Sequence, residues 1–243
     1  MSRLLAIDAG NTRIKWGLRE GRTWSALGSV ATAEAASLDA ALESQGGVER
    51  AIACNVAGSD VERELARSCA RRGVQLNLVH PGARAAGVTN GYRDPGQLGP
   101  DRWAALVAAH ASAAGPKVVA TAGTALTVDA LSASGEFLGG LIVPGPGLMR
   151  RALASGTARL RDTDGRFADF PASTADAITS GAIQACAGAI ARVFESLERR
   201  EHARPVLLLS GGAASEIAPH LGLAHEVREN LVLEGLVRLD EAG

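Results

Sequence analysis

The stretch Leu4–Leu18, LLAIDAGNTRIKWGL, constrains this 243-residue chain more than any other. An apolar run ends on Asp8, and the turn Ala9-Gly10-Asn11-Thr12 reverses the chain. An alternating segment follows, with Ile14, Trp16 and Leu18 on one side and Arg13 and Lys15 on the other. Alternation of this kind marks a strand with one buried face. A shift of 113 residues lays Val118–Asp129 over the same pattern, with Ala9 on Ala122, Gly10 on Gly123 and Leu18 on Leu131. Asp8 then falls on Thr121. A strand–turn–strand used once in each half predicts two related α/β lobes, 1–115 and 116–243.

The rest of the chain alternates in the same sense. Strands are predicted at 3–8, 13–18, 51–56 and 74–79, and helices near 32–44, 60–72 and 102–114. The segment 81–100 is rich in Gly and Pro and reads as a long irregular excursion, usually a functional feature in a compact domain. Strands recur near 117–121, 126–131 and 136–143, and Pro144-Gly145-Pro146-Gly147 ends that meander. A long helix at about 175–200 carries Ile183, Cys186, Ile190, Val193 and Leu197 at three- and four-residue steps. The apolar run Val206–Leu209 is too short for a helix, and Leu231–Leu236 reads as a terminal helix. Hairpins first and crossover helices later suit paired α/β lobes.

Composition excludes several classes. A net charge of −1 leaves no electrostatic footprint for nucleic acid or a membrane surface. No continuous apolar run reaches the roughly 18 to 20 residues of a membrane span, and no signal peptide is expected ahead of the first strand. Cys54, Cys69 and Cys186 have no metal or redox spacing and read as reduced thiols of a cytoplasmic protein. The histidines form no pair at ligand spacing, and no Ser/His/Asp or Cys/His arrangement assembles.

The candidate chemistry lies elsewhere. Asp8 ends a strand predicted to be buried, where a carboxylate is costly unless a cation offsets it. A magnesium–triphosphate complex is such a cation source. Gly10 lets the backbone approach a phosphate, and Asn11, Thr12 and Lys15 add donors. The same residues also make an ordinary hairpin turn, and the spacing is neither a P-loop nor a dinucleotide fingerprint. Gly123-Thr124-Ala125 repeats the turn, so that two lobes would grip one nucleotide. Gly99-Pro100-Asp101-Arg102 precedes the apolar run Trp103–Val107. Asp101 suits an N-cap for a helix beginning at Arg102. Arg102 would oppose the helix dipole by about 0.3–1 kcal/mol, a placement that an anionic ligand rationalises. The loop before it brings Tyr92, the sole tyrosine, into reach. Asp129 alternates with Thr127 and is expected on the exposed side of its strand. Ser210-Gly211-Gly212 offers a backbone approach to adenine or ribose, and Ser173-Thr174 reads as a helix N-cap.

Taken in order, these segments resemble the type III pantothenate kinases. The resemblance rests on Asp8-Ala9-Gly10-Asn11-Thr12, Gly99-Pro100-Asp101-Arg102, Gly123-Thr124-Ala125 with Thr127 and Asp129, and Gly139-Gly140-Leu141-Ile142-Val143-Pro144-Gly145. Thr174 with Ala177-Ile178 and Gly181, and the terminal Leu233-Glu234-Gly235-Leu236, fit the same pattern. It implies an α/β fold of two ribonuclease-H-like lobes, in the acetate/sugar kinase–Hsp70–actin superfold, with ATP in an interlobe cleft. It implies transfer of the γ-phosphoryl group of ATP to the terminal hydroxyl of pantothenate, the first step of coenzyme A synthesis, by a homodimer. By the same resemblance Asp8, Ala9, Gly10, Asn11, Thr12, Arg13, Ile14 and Lys15 form the phosphate turn, with Asp8 near Mg2+. Thr124 contacts ATP, and Asp101 is the catalytic base. Tyr92, Gly99, Pro100, Asp101, Arg102 and Thr174 meet pantothenate, Thr174 across the dimer interface. The chain departs from the pattern at Thr121, where many members hold a monovalent cation (K+ or NH4+) with Asp. Threonine has no charge and fewer acceptor sites, which argues against that cation unless Asp129 compensates. Two alternatives stay beside this reading: a non-catalytic accessory factor for transcription, and a sugar or small-alcohol kinase of the same superfold.

Overall fold

The computed structural model describes residues 3–43, 45–156 and 165–243. They form two compact units, Met1–Ser112 with Asn230–Gly243, and Ala113–Glu229.

The first unit opens with the meander β1 (Arg3–Ala9), β2 (Arg13–Glu20) and β3 (Thr23–Ala31). A 3-10 turn at Thr32–Ser37 leads into α1 (Leu38–Glu43), then β4 (Arg50–Asn55), α2 (Ser59–Arg71) and β5 (Leu76–Leu78). The sheet order is β3-β2-β1-β4-β5, antiparallel through β1–β3 and parallel through β1, β4 and β5. Central β1 and β4 are covered on both faces, which is why Leu4–Ile7 and Ala51–Cys54 are continuous apolar runs. α2 buries Val61, Leu65 and Cys69 at four-residue steps, with Asp60 and Glu62 in its first turn and Arg71 in its last, as the helix dipole favours. Then come the short hairpin β6 (Arg84–Ala85) and β7 (Val88–Asn90), a 3-10 turn at Pro95–Gln97, and α3 (Pro100–Ser112).

The second unit repeats the plan. Its strands β8 (Lys117–Ala122), β9 (Ala125–Leu131) and β10 (Glu136–Pro144) form the meander. α4 (Pro146–Gly156) and α5 (Thr174–Glu201) precede β11 (Val206–Ser210), and α6 (Ala214–Ile217) precedes β12 (His225–Val227). The order β12-β11-β8-β9-β10 is that of the first sheet, strand for strand. α5 packs Cys186, Ala187, Ile190, Phe194 and Leu197 into a core with Val118, Ala120, Leu207 and Leu209, and Ile183 is buried as well. By length and composition α5 is apolar enough to cross a membrane. The sequence contains no continuous apolar run of that length, and the apolar stripe of α5 is accounted for by this core.

Several expectations are corrected. A boundary at 115/116 places the last helix, α7 (Leu231–Ala242), in the second lobe, whereas Asn230–Gly243 belongs to the first unit. Glu234 accepts a hydrogen bond from Trp24 Nε1 on β3 at 2.6 Å and faces Arg19 Nη1 on β2 at 3.5 Å. Gly235 lies on α3, so close that a Cβ there would overlap the Ala104 carbonyl. β3 and α4 lie outside the predicted elements. β3 is an edge strand of only half-buried and exposed residues, without the apolar run that marks β1 and β4. α4 starts with Pro146 at its first position, which suits a helix but follows a stretch that reads as a turn.

The echo between the halves also needs adjustment. In the first hairpin Ala9 pairs with Ile14, and in the second Ala122 pairs with Leu126. The second turn is therefore one residue shorter, and beyond it the equivalences shift by one. Ile14 corresponds to buried Leu126, and Leu18 corresponds to Ala130 rather than Leu131. Because strand side chains alternate faces, the shift keeps apolar on apolar, where a rigid 113-residue offset would set Ile14 against Thr127. It also makes the pair Asp8–Lys15 equivalent to the pair Thr121–Thr127.

Candidate active site

The turn after β1 is braced from behind. The Gly10 N–H donates to the Arg13 carbonyl at 3.1 Å, Thr32 N–H to the Thr12 carbonyl at 3.0 Å, and Thr32 Oγ1 to the Gly10 carbonyl at 2.7 Å. Asn11, Thr12 and Arg13 are exposed, and Arg13 Nη2 donates to Ser29 Oγ at 2.5 Å. Ala9 and Ile14 are fully buried in the core, so only their backbone is open to a ligand.

Asp8 is half-buried at the end of β1, opposite Lys15 on β2 and Cys54 on β4. Cys54 Sγ donates to Asp8 Oδ1 at 3.4 Å. Burial first, and then the charge of Asp101, push the Asp8 carboxyl up to about 6; the Cys54 hydrogen bond and the charge of Lys15 only partly offset them. The Cys54 thiol is pushed well above its usual range by burial and by both aspartates, so it stays a neutral donor. Two carboxylates that feel each other in a partly dry setting favour a cation between them. Among the described residues no three His, Cys, Asp or Glu side chains converge on a metal cage. Magnesium bound with a nucleotide needs only one or two protein carboxylates, with phosphate and water filling the rest of its shell.

Asp101 is not the N-cap that the sequence predicts. α3 begins at Pro100, and the Trp103 N–H donates to the Gly99 carbonyl at 2.9 Å, so Gly99 holds the cap position. Asp101 sits second in the helix, half-buried, its carboxylate folded over Gly99, where a Cβ would stand 2.6 Å from Oδ1. Among the described residues no donor is hydrogen-bonded to that carboxylate. Arg102, in the same turn, is buried; its Nη1 donates to Tyr92 Oη at 3.0 Å, and its guanidinium lies 5.7 Å from the centre of the Tyr92 ring. Tyr92 is placed by buried Asn90, whose side chain donates to the Gly82 and Pro95 carbonyls and accepts from the Tyr92 N–H at 3.1 Å. Asp8, Cys54, Tyr92, Gly99, Pro100, Asp101 and Arg102 thus all belong to the first unit.

In the second unit, the turn after β8 exposes Thr124. The Gly145 N–H donates to the Thr124 carbonyl at 2.8 Å, and a Cβ on Gly145 would overlap the Gly123 carbonyl. The Pro-Gly-Pro-Gly segment is therefore the support of this turn as well as the end of the meander. The Ser210-Gly211-Gly212 turn is tied to β8 through the Ala213 N–H and the Ala122 carbonyl at 3.0 Å. Asp129, expected on the exposed side, is buried; it pairs with Val119, two residues back into the sheet from Thr121. Ser173 caps α5 by accepting from the Asp176 N–H at 3.1 Å, which leaves Thr174 exposed in the first helical position.

Cys54, Thr32 and Asn90 escape a reading of motifs, and the support that Gly145 gives the Thr124 turn is not legible in its motif. Only the strand register and the loop packing single them out.

Comparison with known proteins gives these residues a setting. A family model described as type III pantothenate kinase matches residues 4–196. The chain is 46% identical over 233 residues to the type III pantothenate kinase of Aromatoleum aromaticum, covering 96% of each protein. Among solved structures, it resembles a conserved Baf family protein from Campylobacter jejuni with a TM-score of 0.63 at 21% identity, over 98% of this chain and 97% of that one. It also resembles a ROK family glucokinase from Streptomyces griseus in complex with glucose and AMPPNP, with a TM-score of 0.54 at 11% identity over 99% of both chains. At these identities the structural likeness is one of fold: two ribonuclease-H-like lobes of the sugar kinase, Hsp70 and actin superfold.

Proposed function

The chain belongs to the type III pantothenate kinases, which phosphorylate pantothenate in coenzyme A biosynthesis, and from that premise we propose how its residues divide the work. The observation that carries the proposal is that one unit presents Asp8 at the end of β1 and Asp101 in the first turn of α3, each half-buried. Asp8 holds the magnesium–nucleotide complex, and the backbone of the Ala9–Lys15 turn, with the side chains of Asn11, Thr12, Arg13 and Lys15, receives the phosphates. Thr124 contacts ATP from its own turn. When bound, Mg2+ offsets the charge of the phosphates, leaving the protein mainly to position groups.

Asp101 orients the terminal hydroxyl of pantothenate toward the γ-phosphorus. A carboxylate is a far weaker base than an alkoxide, so the hydroxyl keeps its proton until its oxygen begins to bond to phosphorus. Asp101 accepts the proton late, as the oxygen–phosphorus bond forms and the bond to ADP breaks. Arg102, held over Tyr92, binds the pantothenate carboxylate, with Gly99 and Pro100 shaping the same segment. Arg102→Ala is expected to raise the KM for pantothenate roughly 10- to 100-fold, the worth of a hydrogen bond to a charged group, with a smaller effect on kcat. An unchanged KM would remove Arg102 from the substrate site.

Thr174 completes the pantothenate site across a homodimer interface. Leu141 and Ile142 on β10, with Leu148 and Leu153 on α4, are exposed and offer apolar surface for such an interface. Three buried, unpaired cysteines suit the cytoplasm. The residues present do not suit a monovalent cation at position 121, because Thr121 is neutral and Asp129 is set back in the sheet.

One experiment tests the scheme: ADP release from MgATP with and without pantothenate, in potassium, ammonium and sodium buffers. Turnover is expected only with pantothenate. Rates should agree among the buffers within about twofold, since a hydroxyl offers a cation much less than a carboxylate does. Turnover with a sugar instead would overturn the substrate assignment, and strong potassium activation would overturn the reading of Thr121.

A further inference from the structure

We propose that Cys54 is a positioning residue for phosphoryl transfer: its thiol holds the Asp8 carboxylate in the orientation that receives the metal–nucleotide complex. This rests on the reading of Asp8 as the residue nearest the magnesium ion. β1 and β4 run parallel with Asp8 opposite Cys54, so both side chains leave the sheet on one face. Cys54 is 1% exposed and Asp8 is half-buried, which sets the thiol behind a carboxylate that opens outward. Sγ and Oδ1 are 3.4 Å apart, an ordinary length for a sulfur donor.

The other charged neighbours of Asp8 act differently. Lys15, across the β1–β2 pair, and Asp101 influence it through charge, and among the described residues the thiol is the side chain hydrogen-bonded to it. A cation in the place of Cys54 would neutralise Asp8 and compete with the metal. An apolar residue would leave the carboxylate free to rotate. A thiol donates without charge, fixing one oxygen while leaving the negative charge available.

The test uses Cys54→Val, which replaces the donor with a slightly larger apolar side chain, Cys54→Ala, which replaces it with a smaller one, and Cys54→Ser, which keeps a donor. Binding of Mn2+ to the enzyme–ADP complex is read by the loss of the free-ion electron paramagnetic resonance signal, and the two KM values are measured alongside. The Val and Ala variants are expected to weaken Mn2+ binding and raise the KM for MgATP roughly three- to tenfold, the net worth of one hydrogen bond. The KM for pantothenate stays unchanged, and the Ser variant returns both values to within about twofold. Parental Mn2+ binding in the Val variant overturns the proposal, as does a Ser variant as weak as the Val variant. Asp8→Asn separates the two levels of inference. If it leaves Mn2+ binding intact, the metal assignment of Asp8 falls; if it weakens binding while Cys54→Val does not, only the role of the thiol falls.

Discussion

Asp101→Asn is expected to lower kcat roughly 10²- to 10⁴-fold, the usual contribution of a positioned general base, while the melting temperature stays near that of the parent. The expectation follows from where α3 begins. With Gly99 at the cap and Asp101 second in the helix, the carboxylate terminates no backbone donor among the described residues that Asn would have to replace. Removing its charge costs only the modest favourable interaction with the helix N-terminus, about 0.3–1 kcal/mol. The amide also relieves Asp8 of a neighbouring negative charge, which keeps Asp8 ionised as the carboxylate nearest the metal–nucleotide complex. Steady-state kinetics beside a thermal melt checks this. Activity retained within a few-fold would reduce Asp101 to a helix-terminus residue and leave the reaction without a base.

Gly235→Ala should be the most damaging single-methyl change in the chain. α7 lies against α3 with Gly235 at the closest approach, and a Cβ there would meet the carbonyl of Ala104, a backbone atom that cannot swing aside. Overpacking of this kind costs typically about 1–3 kcal/mol and occasionally more. The upper end applies here, which lowers Tm by roughly 6–12 °C for a chain of this size. The damage should reach the chemistry, because Ala104 lies one turn beyond Asp101. Where the protein still folds, kcat should fall with stability. A melting temperature within a degree or two of the parent would mean that the helices separate freely at that point.

The sequence carried the strand–turn–strand units, the periodicity of α5 and the segment Gly99–Arg102, because each depends on neighbours in the chain. What escaped it depends on partners distant in the chain. β3 is an edge strand that needs no apolar run. Asp129 alternates like an exposed residue, yet its strand lies within the sheet, where both faces are covered. The slip of one residue between the hairpins shows only in the pairing. The N-terminus of α3 lies two residues earlier than the sequence predicts, and that small difference turns Asp101 from a cap into a carboxylate with no hydrogen bond among the described residues. Cys54 is unreadable as a site residue until β4 is laid beside β1 in register.

The position of α7 also bears on how the molecule comes into being. The second unit is one uninterrupted piece of chain, whereas the first is closed only by residues 230–243. During synthesis the half that carries Asp8 and Asp101 waits for residues 230–243, which follow the whole of the second unit in the chain. Contacts so far apart in the chain are the slow ones to form. Until they do, α3 presents the apolar face that α7 will cover. A nascent chain that lacks residues 230–243 therefore lacks the support beneath its phosphoryl-transfer residues, and competence for catalysis arrives only once that segment has docked.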